Sequence, residues 1–276
     1  MSFPRTDLGG IKVSRLVAGS NWFLGYSHQT VARTNFLTAM QTRRKIADVL
    51  CVYLKAGVNL VMGPFSTLFF ESLDLAQQRT GRKFHIICTP NLELTAQGLD
   101  VSGTAKSFDL CAKAGVRFCW PHTSSVDRLY DGLSRTIRHG PEFCAMIRQR
   151  GMIPGLSTHM PEVIVAADRQ GLDVCSYVSI YNSAGFLMNV EIDWVQKVIH
   201  NARHPVTCIK PMAAGRVMPY VGLPFVWSTL RDCDLVTVGP MTPDEAQECI
   251  EISLAALERR PARRQLQSTR SKQSLK

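Results

Sequence analysis

The residues best suited to chemistry stand at the ends of two short apolar runs. Val116-Arg117-Phe118-Cys119-Trp120-Pro121-His122 and Met152-Ile153-Pro154-Gly155-Leu156-Ser157-Thr158-His159 are each of strand length, end in a histidine and precede a helical pattern. Such runs read as buried parallel strands that deliver an imidazole to their carboxyl ends. If both belong to one barrel, the two rings face a common mouth, which is where barrels of this kind carry out their reactions. His122 and His159 there suit proton transfer. With a carboxylate such as Glu93 or Glu71 in reach, they also suit a divalent metal that polarises a carbonyl or activates water. Lys210 follows Val206-Thr207-Cys208-Ile209, so its ammonium falls at the rim of an apolar core. Burial there lowers a lysine pKa and fits an acid, a base or a Schiff-base amine. A structural or anion-binding role in the turn Lys210-Pro211-Met212-Ala213-Ala214-Gly215 is the alternative.

Eight strand patterns, most followed by a helical one, can position these groups. The strands are Arg15 to Gly19, Gly57 to Met62, Phe84 to Thr89, the two runs above, Val174 to Ile180, Val206 to Lys210 and Asp234 to Val238. Helical patterns run from Arg43 to Lys55, Thr67 to Arg79, Gly103 to Ala114, Leu129 to Arg150, from Pro161, from Glu191 to Ala202, and from Thr242 onward. Leu8-Gly9-Gly10-Ile11 reads as the turn of a hairpin closing the barrel floor. The expected fold is therefore an α/β (β/α)8 TIM barrel with an N-terminal β-hairpin, forming one domain over residues 1–258. A doubly wound open sheet is the alternative, disfavoured because no glycine-rich dinucleotide turn follows strand one. Trp22 to Phe36 is long for a connection after a strand and reads as a functional loop or lid.

The order of motifs from Leu8 to Leu257 resembles that of the aldo-keto reductases. The resemblance rests on Leu8-Gly9-Gly10-Ile11-Lys12-Val13-Ser14-Arg15-Leu16, Gly57-Val58-Asn59, Gly155-Leu156-Ser157, Tyr181-Asn182, Lys210-Pro211-Met212-Ala213-Ala214-Gly215 and Val238-Gly239-Pro240-Met241-Thr242-Pro243. It implies a barrel, an NADP cofactor and a tetrad of Asp, Tyr, Lys and His in which Tyr donates the proton. This chain departs from that tetrad. Met62 stands at the Asp position, Thr67 near the Tyr position and Pro90 at the Lys position, and only His122 matches. Methionine and proline neither tune nor transfer a proton. Thr158 replaces the Asn that holds the nicotinamide amide, Val178 replaces a Gln, and Met241 replaces a basic residue. His159 stands where Phe is common, so an apolar platform has become titratable.

These departures imply a rebuilt mouth made of Asn21, Asn91, Glu93, His122, His159, Asn182 and Lys210. Tyr26 and His28 reach over it from the first loop. Gly239 and Thr242, at the start of the last helix, lie where barrels bind phosphate. The leading expectation is a lyase, isomerase or hydrolase acting on a small polar substrate, sugar-like, acidic or phosphorylated, without hydride transfer. It would use no cofactor, or a divalent metal on His122 and His159. The alternatives are a divergent NADP-dependent oxidoreductase, with Tyr26 replacing the lost donor, and a non-catalytic binding protein. His85, His139, His200 and His204 read as structural.

Composition narrows the partners. Apolar residues make up 45% of the 276 residues and charged residues 20%, ordinary for a globular domain, and no run reaches the length of a membrane span. No secretory leader is evident, and nine cysteines without CxxC spacing read as buried thiols in a reducing, cytoplasmic setting. The net charge of +10 includes seven cationic residues from Arg259 onward with no acid among them, leaving +3 for residues 1–258. Residues 259–276 therefore read as a disordered, basic tail, and no specific nucleic-acid surface is expected. Oligomerisation stays open.

Overall fold

A computed structural model describes residues 3–263. Strands Arg5–Leu8 and Ile11–Ser14 pair antiparallel through the turn at Gly9 and Gly10, both left-handed at φ +57° and +84°. A parallel sheet follows, whose strands are Leu16–Gly19, Leu60–Gly63, His85–Cys88, Phe118–Cys119, the pair Ile153–Pro154 and Leu156–Ser157, Tyr177–Ile180, Val206–Ile209 and Leu235–Val238. The last pairs back onto the first, with Val236 opposite Leu16. The fifth strand closes the ring in two pieces: Ile153–Pro154 pairs with strand four and Leu156–Ser157 with strand six. The expected (β/α)8 barrel with its N-terminal hairpin is the fold.

The hinge between those two pieces is Gly155. A Cβ there would lie 2.6 to 2.7 Å from three atoms of the buried Trp120 indole. Gly155→Ala is therefore expected to cost about 1–3 kcal/mol by overpacking, read as a lower urea midpoint at unchanged slope.

Inside the ring, Leu8 and Val13 of the hairpin pack with Val17, Leu60, Ile87, Phe118, Trp120, Ile153 and Leu235. The hairpin thus seals the amino-terminal floor and leaves the carboxyl ends open. Outside, the helices bury apolar faces on the strands and are capped from the sequence. Thr42 accepts from the Lys45 N–H, Asp100 from the Gly103 N–H, and Thr242 with Glu245 forms a capping box.

Three stretches differ from expectation. Trp22 to Phe36 is not one open loop, because a helix begins at Val31, capped by the Thr30 hydroxyl, and runs to Met40. Leu129 to Arg150 is not one helix. A helix over Thr123–Leu129 stops, a hairpin pairs Tyr130–Asp131 with Thr136–Ile137, and a new helix spans Gly140–Gln149. Asp131 causes the break by accepting from the Leu133 N–H and the Ser134 hydroxyl, a turn that competes with helix. A helix over Pro219–Thr229, apolar on all sides and carrying Pro224, shows no sequence periodicity that would announce it.

Two compositional readings meet the structure directly. Eight of the nine cysteines are buried thiols, Cys233 is half-buried and none is bonded. Arg260 pairs with Glu251 and Glu258, and the Arg263 N–H donates to Glu251, contacts that hold residues 260–263 against the last helix. Residues 264–276 lie outside the described residues. Among the described residues, no helix is long and apolar enough to cross a membrane.

Candidate active site

The carboxyl ends of the strands surround a cavity of about 420 Å³. His28, His122, His159 and Lys210 all line it, with Asn21 and Gly239.

Strand seven ends at Ile209, and Lys210 then takes a left-handed backbone at φ +58°. Ala213, Ala214 and Gly215 are also left-handed, at +49°, +54° and +85°. A side chain in this region carries steric strain, so the surroundings must enforce it. They do so by latching this turn to the first loop. Gln29 Nε2 donates to the Ala214 carbonyl at 2.8 Å, Arg216 donates to the His28 carbonyl, and a Cβ on Gly215 would press the Trp22 ring at 3.0 Å. The Lys210 ammonium is turned to His159, Nζ to Nε2 3.4 Å, and makes no ion pair among the described residues. Burial lowers its pKa to about 8.

The imidazoles are held uncharged for related reasons. Burial first, then the charge of Lys210, push all three pKa values down, His159 to about 3. His159 Nε2 therefore accepts from Lys210. His122 Nδ1 lies 2.9 Å from Ser124 Oγ, and because that hydroxyl donates to Asn91 Oδ1 at 2.6 Å, Nδ1 carries the N–H that meets it and Nε2 keeps the free lone pair. Nε2 of His122 is left without a protein partner among the described residues. His28 sits 3.5 Å from Asn21 Nδ2.

Asp127 aligns the two strand ends. Its carboxylate accepts from the Thr123 hydroxyl at 2.6 Å, from the Thr158 hydroxyl and from the His159 N–H at 3.0 Å. Asp127→Ala leaves these donors unpaired and is expected to cost about 2 kcal/mol. It is also expected to shift the two histidines in opposite directions in an NMR titration. The His159 pKa rises as its packing loosens, and the His122 pKa falls because the carboxylate that raises it is gone.

Several expected site residues lie elsewhere. Tyr26 is 55% exposed and lines a separate groove with Phe65 and Leu68, so it is not placed to donate a proton into the cavity. Asn91 supports His122 through Ser124 rather than lining the cavity. Glu93 is exposed and packs on Gly103, because the chain after strand three turns outward into the hairpin Leu94–Thr95 and Gly98–Leu99. Glu71 is exposed on the helix Thr67–Thr80. Neither supplies the carboxylate that a metal on His122 and His159 needs, and among the described residues no group of three His, Cys, Asp or Glu is arranged to hold one. Asn182 is fully buried and spends its amide on Ala184 and Phe186. The Thr242 hydroxyl caps the last helix. The N–H groups of Met241 and Thr242 are both taken by the Glu245 carboxylate, at 2.7 and 3.2 Å. A phosphate at Gly239 and Thr242 would have to displace that carboxylate from both N–H groups.

Two residues went unread. Ser20 and Thr237, at the ends of strands one and eight, line the cavity and are 2% and 8% exposed. Their hydroxyl oxygens are buried without a hydrogen-bond partner. Gln41, Trp120, Trp227 and Ser253 also hold an unpartnered buried polar atom, so it is the cavity position of Ser20 and Thr237 that makes them candidate ligand contacts. A serine or threonine at a strand end is the only signal the sequence offers for them.

Fold and cavity together define a (β/α)8 barrel with a largely apolar cavity at its carboxyl face, into which a few polar groups converge. Similar solved structures include one assigned as an aldo-keto reductase from Pseudomonas aeruginosa, with TM-score 0.67 and 17% identity over 92% of this chain and 95% of that one. An aldo/keto reductase from Brucella melitensis gives 0.58 and 14% over 94% and 98%. An aldo-keto reductase from a Medee basin deep-sea metagenome library gives 0.59 and 7% over 95% and 97%. No protein-family model matches the sequence, and no curated protein does. The chain shares its barrel fold with these structures, and identities this low speak for the fold alone. The cofactor that such a barrel suggests does not fit these residues: Thr158 is committed to Asp127, Val178 is buried and apolar, and Glu245 fills the anion position of the last helix.

Proposed function

We propose that the chain is an enzyme that transforms a small polar carbonyl or hydroxyl compound, sugar-like or acidic, by acid–base chemistry without hydride transfer, as a lyase, isomerase or hydrolase. The observation that carries this reading is the placement of an unpaired lysine ammonium against uncharged imidazoles in one cavity. Lys210 polarises the substrate oxygen, His122 Nε2 accepts a proton, and His159 exchanges one with Lys210. Ser20 and Thr237 donate to substrate oxygens. The excess of cationic and donor groups around Lys210 favours an acidic substrate. Titration with NADPH tests the reading: no change in nicotinamide fluorescence is expected, and tight binding would overturn it.

A second reading, a divergent NADP-dependent oxidoreductase, is favoured by the solved structures of similar fold, most of which are described as reductases. It requires NADPH consumption with an aldehyde panel, and the first reading requires none.

A further inference from the structure

We propose that Lys210 is a nucleophile whose amine condenses with the ketone or aldehyde carbon of a 2-oxo acid to form an iminium. The inference rests on the acid–base reading and adds a covalent step and a substrate class to it. Three observations carry it. First, Nζ has no carboxylate partner among the described residues, and its surroundings in the cavity include Met62, Val178, Ile209 and Pro211. A lysine kept for structure in an apolar wall would need a counter-ion or would reach for solvent. Second, the neutral Nε2 of His159 lies 3.4 Å away and can take the proton that must leave before nitrogen attacks. Third, the left-handed backbone at Lys210 is enforced by the latched turn, which fixes where the side chain starts.

The step balances without a further reactant. His159 Nε2 takes a proton from the ammonium, and the amine lone pair forms a C–N bond to the carbonyl carbon. The carbonyl π pair moves to oxygen, which receives the proton back from His159 and gives a carbinolamine still protonated on nitrogen; an imidazole then removes that N–H proton, which leaves the carbinolamine neutral and its nitrogen lone pair free. The hydroxyl then takes a second proton through an imidazole and leaves as water, while the nitrogen lone pair closes C=N. One ammonium and one carbonyl become one iminium and one water, and the total charge is unchanged.

The substrate class follows from that charge. The iminium stays cationic inside the cavity, and the carboxylate that also lines it, on Glu245, is bound to the N–H groups of Met241 and Thr242. The counter-charge must then come with the substrate, next to the carbon that reacts. A carboxylate adjacent to the carbonyl meets that need, and the unpartnered hydroxyls of Ser20 and Thr237 are donors for its oxygens or for hydroxyls further along the chain.

Reductive trapping tests the proposal on the intact protein. Wild type is incubated at pH 8 with glyoxylate, pyruvate or 2-oxoglutarate and borohydride, and the peptides are mapped by mass spectrometry. Lys210 is expected to be labelled about a hundredfold faster than the exposed lysines, the ratio set by their free-amine fractions. A folded His159→Gln variant is expected to label at Lys210 at least several-fold more slowly. Labelling confined to exposed lysines with all three acids overturns the covalent step. Parallel NMR of the histidine rings separates the two ideas: 2-oxo acids that shift His122 and His159 without trapping leave the acid–base reading standing and remove the iminium. Tight NADPH binding removes the acid–base reading itself.

Discussion

A Lys210→Met variant is expected to be more stable than the wild type at neutral pH, and to be inactive. Burial holds the Lys210 pKa at about 8, below the ordinary lysine value of 10.5. The folded chain therefore binds the proton more weakly than the unfolded chain does. Folding carries the full penalty at every pH below about 8, and the penalty fades as pH rises toward 10.5. The difference corresponds to about 3 kcal/mol, because each pKa unit is worth about 1.4 kcal/mol. Methionine keeps the length and apolar stem of the side chain and removes the charge. Urea melts should show the variant ahead at pH 7 and level with wild type above pH 10. A variant that is weaker at pH 7, or whose advantage does not depend on pH, would show that Lys210 is a structural residue. Stability gained at the expense of activity is the usual mark of a group kept for chemistry.

Asp234→Ala is expected to act in the opposite sense and to be the most damaging single change away from the mouth. Asp234 is fully buried and accepts from the N–H of Val206 at 2.8 Å and of Arg231 at 2.9 Å, and from the Arg231 guanidinium at 2.7 and 3.0 Å. Arg231 in turn donates to the carbonyls of Ala202 and His204, and Arg15 donates to the carbonyls of Asp234 and Arg231. The cluster ties the starts of strands seven and eight together at the floor of the barrel. Truncating the aspartate leaves the half-buried Arg231 guanidinium without its counter-charge, though still bonded to two carbonyls, and leaves two backbone N–H groups unpaired. Loss of one partner of such a pair costs about 3–5 kcal/mol. For a chain of this size that is a fall of roughly 10 °C in Tm, measurable by calorimetry. Asp234→Asn keeps the acceptor oxygen and is expected to lose less. Because the cluster lies at the floor, reactivity of Lys210 toward 2-oxo acids should survive in whatever fraction stays folded.

The contrast between these two residues reflects how the chain can be read. Buried parallel strands are near-continuous Val, Ile, Leu and Cys runs, so the eight strands and the floor hairpin are visible as pattern. His122, His159 and Lys210 follow from them, because the residue that ends such a strand must face the mouth. The reading weakens where side-chain direction depends on a local turn. Glu93 is one residue past a strand-end loop that bends outward, and Tyr26 precedes a turn that points it to a neighbouring groove. Asn182 looks like a ligand contact by position, yet its amide is consumed by its own loop. The helix Pro219–Thr229 hides because it is apolar all round, which leaves no period to detect. Asp127, Ser20 and Thr237 are of common residue types, and only burial and hydrogen-bond accounting give them a role. The break after Leu129 was available from Asp131 and Gly132, which favour a turn over helix continuation.

The bond from Gln29 to the Ala214 carbonyl, and that from Arg216 to the His28 carbonyl, join two loops that arise from strands one and seven. Neither loop can swing away alone. Any ligand exchange that requires one loop to move must therefore break these bonds or move both loops, and relief of the left-handed turn at Ala213 and Ala214 would favour such an opening. Gln29→Ala is thus expected to quicken ligand release and, because the same latch holds the turn from which Lys210 projects, to loosen the position of its ammonium as well.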